Sequence, residues 1–488
     1  MLFDSKSPPF LNEISPEESF KIAHAKRFIE RYAGDAVFRS RLLQDARGTA
    51  IAYGLKMDPE EIRPLWDANF SRRCAEERRP VGQTVELCLR YDRAMVAWMT
   101  RRRNSESIAH PQYRAWWERQ LARNDSEIGV PFNSKDVHAP VCFELSKGCT
   151  VGCWFCAISA ERFGGAFAHT AENVRLWRET LEVVRDIVGP AAEVGFCYWA
   201  TDPFDNPDYE DFIKEFHGVM GNLPATTTAM PHKDIARTRA LIRMPEQYGF
   251  TYNRFSILTP KILDRIHQEF SAEELLWTGL ELLNKESTAK KATAGRALEK
   301  LRKLRSEGED AREWEEELTQ GTIACVTGFL FNMVERSVKL ISPCRADERW
   351  PKGYRVYQEG TFHSGAELRE LMNAMMASNM PPSLRDHDRV ALRRDLRYRE
   401  LPDGFELSSA FTSQNITHPG YGRMLGGLVQ SGAHTAQDIV GKLAQAGVDP
   451  KEARVSLNIL FSRGFLDDEP VPSGTAVIRV TERALGAS

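Results

Sequence analysis

Long apolar runs are missing from this sequence. No stretch approaches the roughly 18 consecutive apolar residues that a membrane helix requires. The opening Met-Leu-Phe-Asp-Ser-Lys-Ser-Pro-Pro-Phe lacks the apolar core of a secretory signal. No membrane partner is therefore expected, and the cytoplasm is the expected compartment. Neither sign of charge is in excess: 65 Lys and Arg stand against 68 Asp and Glu, a net charge of −3 with pI about 6.5. Bulk nucleic-acid binding draws on a basic surface, so no nucleic-acid partner is expected. Cysteine is scarce, with nine in 488 residues, too few for a secreted disulfide scaffold. What remains is ordinary globular composition, 42% apolar and 27% charged. A chain of this length has room for roughly two to four domains.

Three of the nine cysteines fall in one run, Ser-Lys-Gly-Cys149-Thr-Val-Gly-Cys153-Trp-Phe-Cys156. Three thiolates can hold three irons of a 4Fe–4S cluster and leave the fourth iron open to a ligand. A structural zinc site needs four protein ligands. The nearest further candidate, His169, lies 13 residues beyond Cys156, which is not zinc-ribbon spacing. A disulfide fits poorly in a chain that keeps its thiols reduced.

Around this run the periodicity divides the chain. Residues 15–123 read as helical, opening at Ser15-Pro16-Glu17-Glu18, so residues 1–130 are expected to form a helical N-terminal domain. Strand signals then alternate with helices: strands at 141–145, 193–199, 225–230, 250–258 and, with helix as the alternative, 275–283, helices at 170–188, 208–219, 235–242 and 260–270. The stretch 284–318 reads as one long exposed helix, and 322–331 and 338–341 as further strands. Alternation of this kind predicts an α/β fold. About six units suit an open (β/α)6 barrel over residues 137–377 better than a full eight-unit barrel. Residues 378–417 read as a linker or wrapping segment. Residues 418–488 read as a small winged-helix-like domain, with helices at 435–446 and 450–462 and a wing from Gly464-Phe465-Leu466 and 476–480. Its second helix has few cations (Lys451, Arg454, Arg463), so strand addition to a peptide is a better use for it than DNA binding.

The cysteine spacing is the signature of the radical S-adenosylmethionine (SAM) superfamily. The resemblance implies one 4Fe–4S cluster on Cys149, Cys153 and Cys156, with SAM as co-substrate bound at the open iron and split to a 5′-deoxyadenosyl radical. It implies an adenine contact for Phe155, with core packing as the alternative. Asp202 stands where many members carry Gly-Gly-Glu against the methionine amino group; a turn-forming Asp before Pro203 is the alternative. Ser256 is a candidate for the ribose or carboxylate, or else a buried or capping Ser. No second cluster pattern occurs among the other six cysteines, which favours chemistry without net substrate oxidation.

The run Glu144–Cys156 and the stretch 342–357, Ser-Pro-Cys…Glu-Arg-Trp-Pro…Gly-Tyr-Arg-Val-Tyr, resemble the radical SAM peptide epimerases that mature proteusin-type ribosomal peptides. In that family the radical removes an L-residue's α-hydrogen and a cysteine returns a hydrogen to the opposite face. Carried over, Cys344 is the catalytic donor; an incidental loop thiol is the alternative. The implied partners are a precursor peptide with its leader and an electron donor such as flavodoxin or ferredoxin. Either flanking domain is a candidate leader grip, the N-terminal one by resembling a helical leader; a purely structural N-terminal domain is the alternative. The competing readings are a crosslinking, C-methylating or excising radical enzyme, and an iron–sulfur DNA-binding regulator.

Overall fold

The Ser15-Pro16-Glu17-Glu18 signal does start a helix. In the computed structural model, which describes residues 8, 10–102, 105–134 and 137–470, Ser15 caps the helix Pro16–Gly34. Its hydroxyl accepts from the Glu18 N–H, and the Glu18 carboxylate accepts from the Ser15 N–H. This reciprocal box satisfies donors that a helix start leaves open. Phe28 and Ala25 on the buried face pack with Phe38, Leu42, Ile62 and Trp66. The same helix is fastened to the α/β layer. Lys26 donates to the Thr278 carbonyl at 2.7 Å, and Arg27 to the Phe270 carbonyl at 2.5 Å. The helix Pro111–Asn124 goes further, since Tyr113, Trp116 and Trp117 belong to the central core with Val141, Phe143 and Phe329.

The architecture is mixed α/β, with no closed barrel among the described residues. The strand Ala139–Glu144 runs parallel to Val326–Asn332, which pairs antiparallel with Ser337–Pro343, itself antiparallel to Tyr354–Thr361. A second, parallel sheet joins Thr227–Thr228, Asn253–Ile257 and Thr278–Leu282. Helices Ala171–Val188 and Tyr209–Met220 cover the outside through Leu181, Val184, Phe212 and Phe216.

Several elements differ from the sequence reading. Residues 193–199 make no ladder: Gly189–Val194 is a 3₁₀ turn, and only a parallel bridge links Phe196 to Cys142. Pro190 favours that tight turn because its fixed φ suits a first helical position. The stretch 284–318 is not one helix. Gly308, at φ +71, ends Gly295–Ser306 before a second helix, Arg312–Glu317, begins. Short parallel strands Lys291–Ala292 and Leu318–Thr319 flank the pair.

The expected linker is folded too. Arg397–Leu401, Gly404–Ser408 and Ser413–Thr417 form an antiparallel sheet. Phe405 and Leu407 from it share one core with Leu425, Ile439, Leu457 and Phe461 of the helices Gly422–Ser431, Ala436–Gln445 and Pro450–Ser462. Alternation hid this sheet, because only its middle strand has a buried face. Leu466 bridges antiparallel to Leu392. The other expected wing strand, 476–480, lies outside the described residues.

Candidate functional site

The cysteine loop leaves the C-terminal end of Ala139–Glu144 and turns back at once. Gly148, at φ +71, makes this possible. A Cβ there would press into the Arg162 carbonyl and come within 2.8 Å of the Glu161 carbonyl. Both neighbours are backbone and cannot yield, and an L-residue also disfavours that φ. Gly148→Ala is therefore expected to expose the three thiols, read as a severalfold faster reaction with a thiol reagent under native conditions; an unchanged rate counts against this account.

The loop is pinned on three sides. Cys149 N–H donates to the Glu161 carbonyl at 2.9 Å. Thr150 donates to Asp205 through its N–H at 2.9 Å and its hydroxyl at 2.6 Å. Arg296 reaches the Cys153 carbonyl at 3.1 Å and also the Ala160 carbonyl. Backbone N–H groups point at two of the sulfurs, Val151 at Cys149 (3.4 Å) and Ala160 at Cys156 (3.3 Å). Burial raises the Cys149 thiol to about 11 and, together with the neighbouring Cys156 and Cys149, the Cys153 thiol to about 12.

No group of three or more His, Cys, Asp or Glu side chains among the described residues stands close enough for one metal ion. Cys149 and Cys156 each raise Cys153, so both lie near it. As a donor set, three thiols on one pinned loop with N–H groups aimed at sulfur have the chemistry that a cluster's ligands need.

Asp202 is 4% exposed and lies beside this loop, close enough to raise both Cys149 and Cys153. Its carboxylate accepts from the Thr228 hydroxyl (2.7 Å), the Ala229 N–H (2.7 Å) and the Phe204 N–H (3.0 Å). Most of its capacity thus ties the turn at Pro203 to the Thr227–Thr228 strand. Phe155 packs on Ala297, Leu301, Ala311 and Leu318, against the helix Gly295–Ser306. Ser256 alternates with Phe255 and Ile257 of the core and so shares the opposite face with Arg254.

Cys344 is not brought to the cysteine loop. Pro343 pairs with Tyr354, and side chains alternate along a strand. Tyr354 and Val356 pack with Cys142 and Leu330 on one face. Cys344 falls on the other, fully buried beside Arg355, Glu127 and Arg123. Burial pushes its thiol well up. Its loop does pass the cysteines: Ala346 packs on Ala157, and the Pro351 carbonyl accepts from the Gly295 N–H at 2.7 Å.

Two further residues occupy the space between these loops. A cleft of about 160 Å3 is lined by Glu144, Trp199, Lys339, Lys352 and Tyr354. The Glu144 carboxylate accepts from the Ala200 N–H (2.8 Å) and Asn332 Nδ2 (2.9 Å), and burial raises its pKa. Tyr354 is pushed up to about 12, first by burial and then by Glu144. Glu144 could have been found as the one acid ending an apolar strand; nothing local marked Tyr354.

A family described as "Protein y4wI C-terminal domain" matches residues 390–464, the unit built on the three-stranded sheet. Over 467 residues the chain is 36% identical to a protein of Sinorhizobium fredii described as "Uncharacterized protein y4wI", across 94% of this chain and 90% of that one. No solved structure matches.

Proposed function

The chain belongs to the y4wI family, and we propose that it is a radical SAM enzyme of the cytoplasm that inverts residues of a ribosomally made peptide. The observation that carries this reading is the pinned loop with three thiols at the C-terminal end of a parallel strand. Cys149, Cys153 and Cys156 would hold the cluster, which when bound supplies the electron that splits SAM. Asp202, beside the loop, would receive the methionine amino group with its one remaining lone-pair site. Glu144, Lys339 and Lys352 line the cleft through which a peptide reaches the loop.

The hydrogen returned to the substrate α-carbon comes, in this reading, from the Cys344 thiol. The resulting sulfur radical takes one electron from a flavodoxin- or ferredoxin-class donor and one proton from water. For that, the 344–353 loop has to swing the thiol out from under Arg355. The leader has a place to dock in the C-terminal unit. Among the described residues Ser413–Thr417 pairs on one side only, and an open strand edge can accept a peptide as a further strand. Arg454, on the last helix of that unit, is engaged by Asp386, which leaves less cation for DNA.

The test is anaerobic turnover in deuterium oxide with reductant, SAM and a peptide encoded beside this gene. Epimerisation yields 5′-deoxyadenosine and one solvent deuterium at an α-carbon with no other mass change. Cys344→Ala should keep SAM cleavage and lose the D-residue. The burial of Cys344 favours a second reading, a radical modification that needs no thiol; a product two hydrogens lighter, or full epimerisation by Cys344→Ala, would select against the first.

A further inference from the structure

A second cavity, of about 370 Å3, opens at the other end of the strands. Val137, Ala225 and Cys325, each just before a parallel strand, contribute to it, and the last turns of the helix Gln83–Arg102 close it. The cysteine loop follows the opposite, C-terminal end of Ala139–Glu144. Nothing in the proposed chemistry uses this space.

Its walls are largely aromatic, through Trp98, Tyr198 and Tyr252, and two guanidiniums reach it, Arg102 and Arg254. Arg254 donates to the Tyr198 hydroxyl at 2.7 Å and the Thr227 hydroxyl at 3.2 Å. Arg102 donates to the Glu193 carbonyl at 3.1 Å and lies over the Trp98 ring. The hydrogen-bond acceptors of both among the described residues are thus neutral. One carboxylate, Glu281, lines the same cavity and helps hold Arg254 charged. Burial lowers the Arg102 guanidinium to about 10 against the pull of the Glu193 carboxylate, which therefore compensates its burial only in part.

A buried cation that its neighbours compensate only in part is costly unless an anion joins it. A cavity of this size, mostly apolar with a few converging polar groups, has the form of a small-molecule site. With Arg254 balanced by Glu281, the incompletely compensated Arg102 suits a monoanion, and the planar fork of an arginine matches a carboxylate. We infer that the cavity between Arg254, Arg102 and Trp98 binds a small carboxylic acid with an aromatic body, at a site separate from the cysteine loop.

Phenylacetate is the probe, titrated calorimetrically into the full-length protein, with neutral 2-phenylethanol as the control. Saturable binding at one site per chain is expected, together with a rise in melting temperature that 2-phenylethanol does not produce. Arg254→Gln and Arg102→Gln should each weaken it by about tenfold or more, and Glu281→Gln, which removes the opposing charge, should strengthen it. Should Arg254→Gln fail to fold, Arg102→Gln and Glu281→Gln decide the matter. No saturable binding by the intact protein overturns the inference. So does equal binding of 2-phenylethanol, or affinity unmoved by the variants that fold. None of these outcomes depends on the iron chemistry, so failure here leaves the proposed function standing and the reverse also holds.

Discussion

Cys153→Ala should take the iron of the reconstituted protein from about four atoms per chain to a small fraction of that, and SAM cleavage to background. Cys153 is the middle thiol, the one raised by both of its neighbours. The rest of the loop is held by Thr150, Arg296 and Cys149 N–H, none of which the substitution touches. The unfolding midpoint of the metal-free variant should therefore move by less than about 1 kcal/mol equivalent, as for a half-exposed position away from the core. Iron analysis, sulfide analysis and 5′-deoxyadenosine release measure the effect. A wild-type protein that takes up one zinc and no sulfide would end the radical reading, and an alanine variant that keeps its iron would remove Cys153 from the ligand set.

The second large effect concerns a buried ion network behind Cys344. Glu127 accepts from Arg355 Nη2 at 2.6 and 2.5 Å and from Arg123 Nε at 3.3 Å. Asp468 binds Arg123, Arg119 and Gln120, while Glu469 binds Arg123 and Arg355. This network ties the segment after the C-terminal unit to the helix Pro111–Asn124 and to the strand Tyr354–Thr361. Removing one partner leaves a buried charge uncompensated, at about 3–5 kcal/mol. Out of the roughly 5–15 kcal/mol that holds a protein folded, Glu127→Gln should cost a large part, read as a lower urea midpoint. The exposed pair Arg178–Glu215 is the control, with Arg178→Ala costing less than about 1 kcal/mol.

The same network sets an acid limit. Burial works to raise the Glu127 carboxyl, but Arg355, Arg123 and Arg393 outweigh it and hold it down to about 2. Asp468 and Glu469 are lowered in the same way against their own burial. A carboxyl with a depressed folded pKa stabilises above its unfolded value and loses that contribution as pH falls toward the folded one. Stability should hold above about pH 4.5 and fall steeply from there to about pH 2. Glu127→Gln should flatten that slope; an unchanged slope would show that other carboxylates set it.

Features that depend on a few neighbouring residues were legible in the chain. The capping box at Ser15, the helices at 171–188 and 450–462, and the cysteine spacing with its glycines are local, and local sterics and hydrogen bonds enforce them. Weak strands were not legible. Ser413–Thr417 has no buried face to alternate, and the segment at 193–199 borders a strand without pairing along it. Cys344 shows the limit best. Its sequence surroundings suggested a thiol at the mouth of the fold. Which face it takes depends on the register of Pro343 against Tyr354, and a shift of one residue would turn it inward. That Arg102 and Arg254, 152 positions apart in the chain, line one cavity is of the same kind. The cysteine loop is chemistry written in adjacent residues; the cavity at the other end exists because a helix end is packed against strand ends, and no run of sequence encodes that contact.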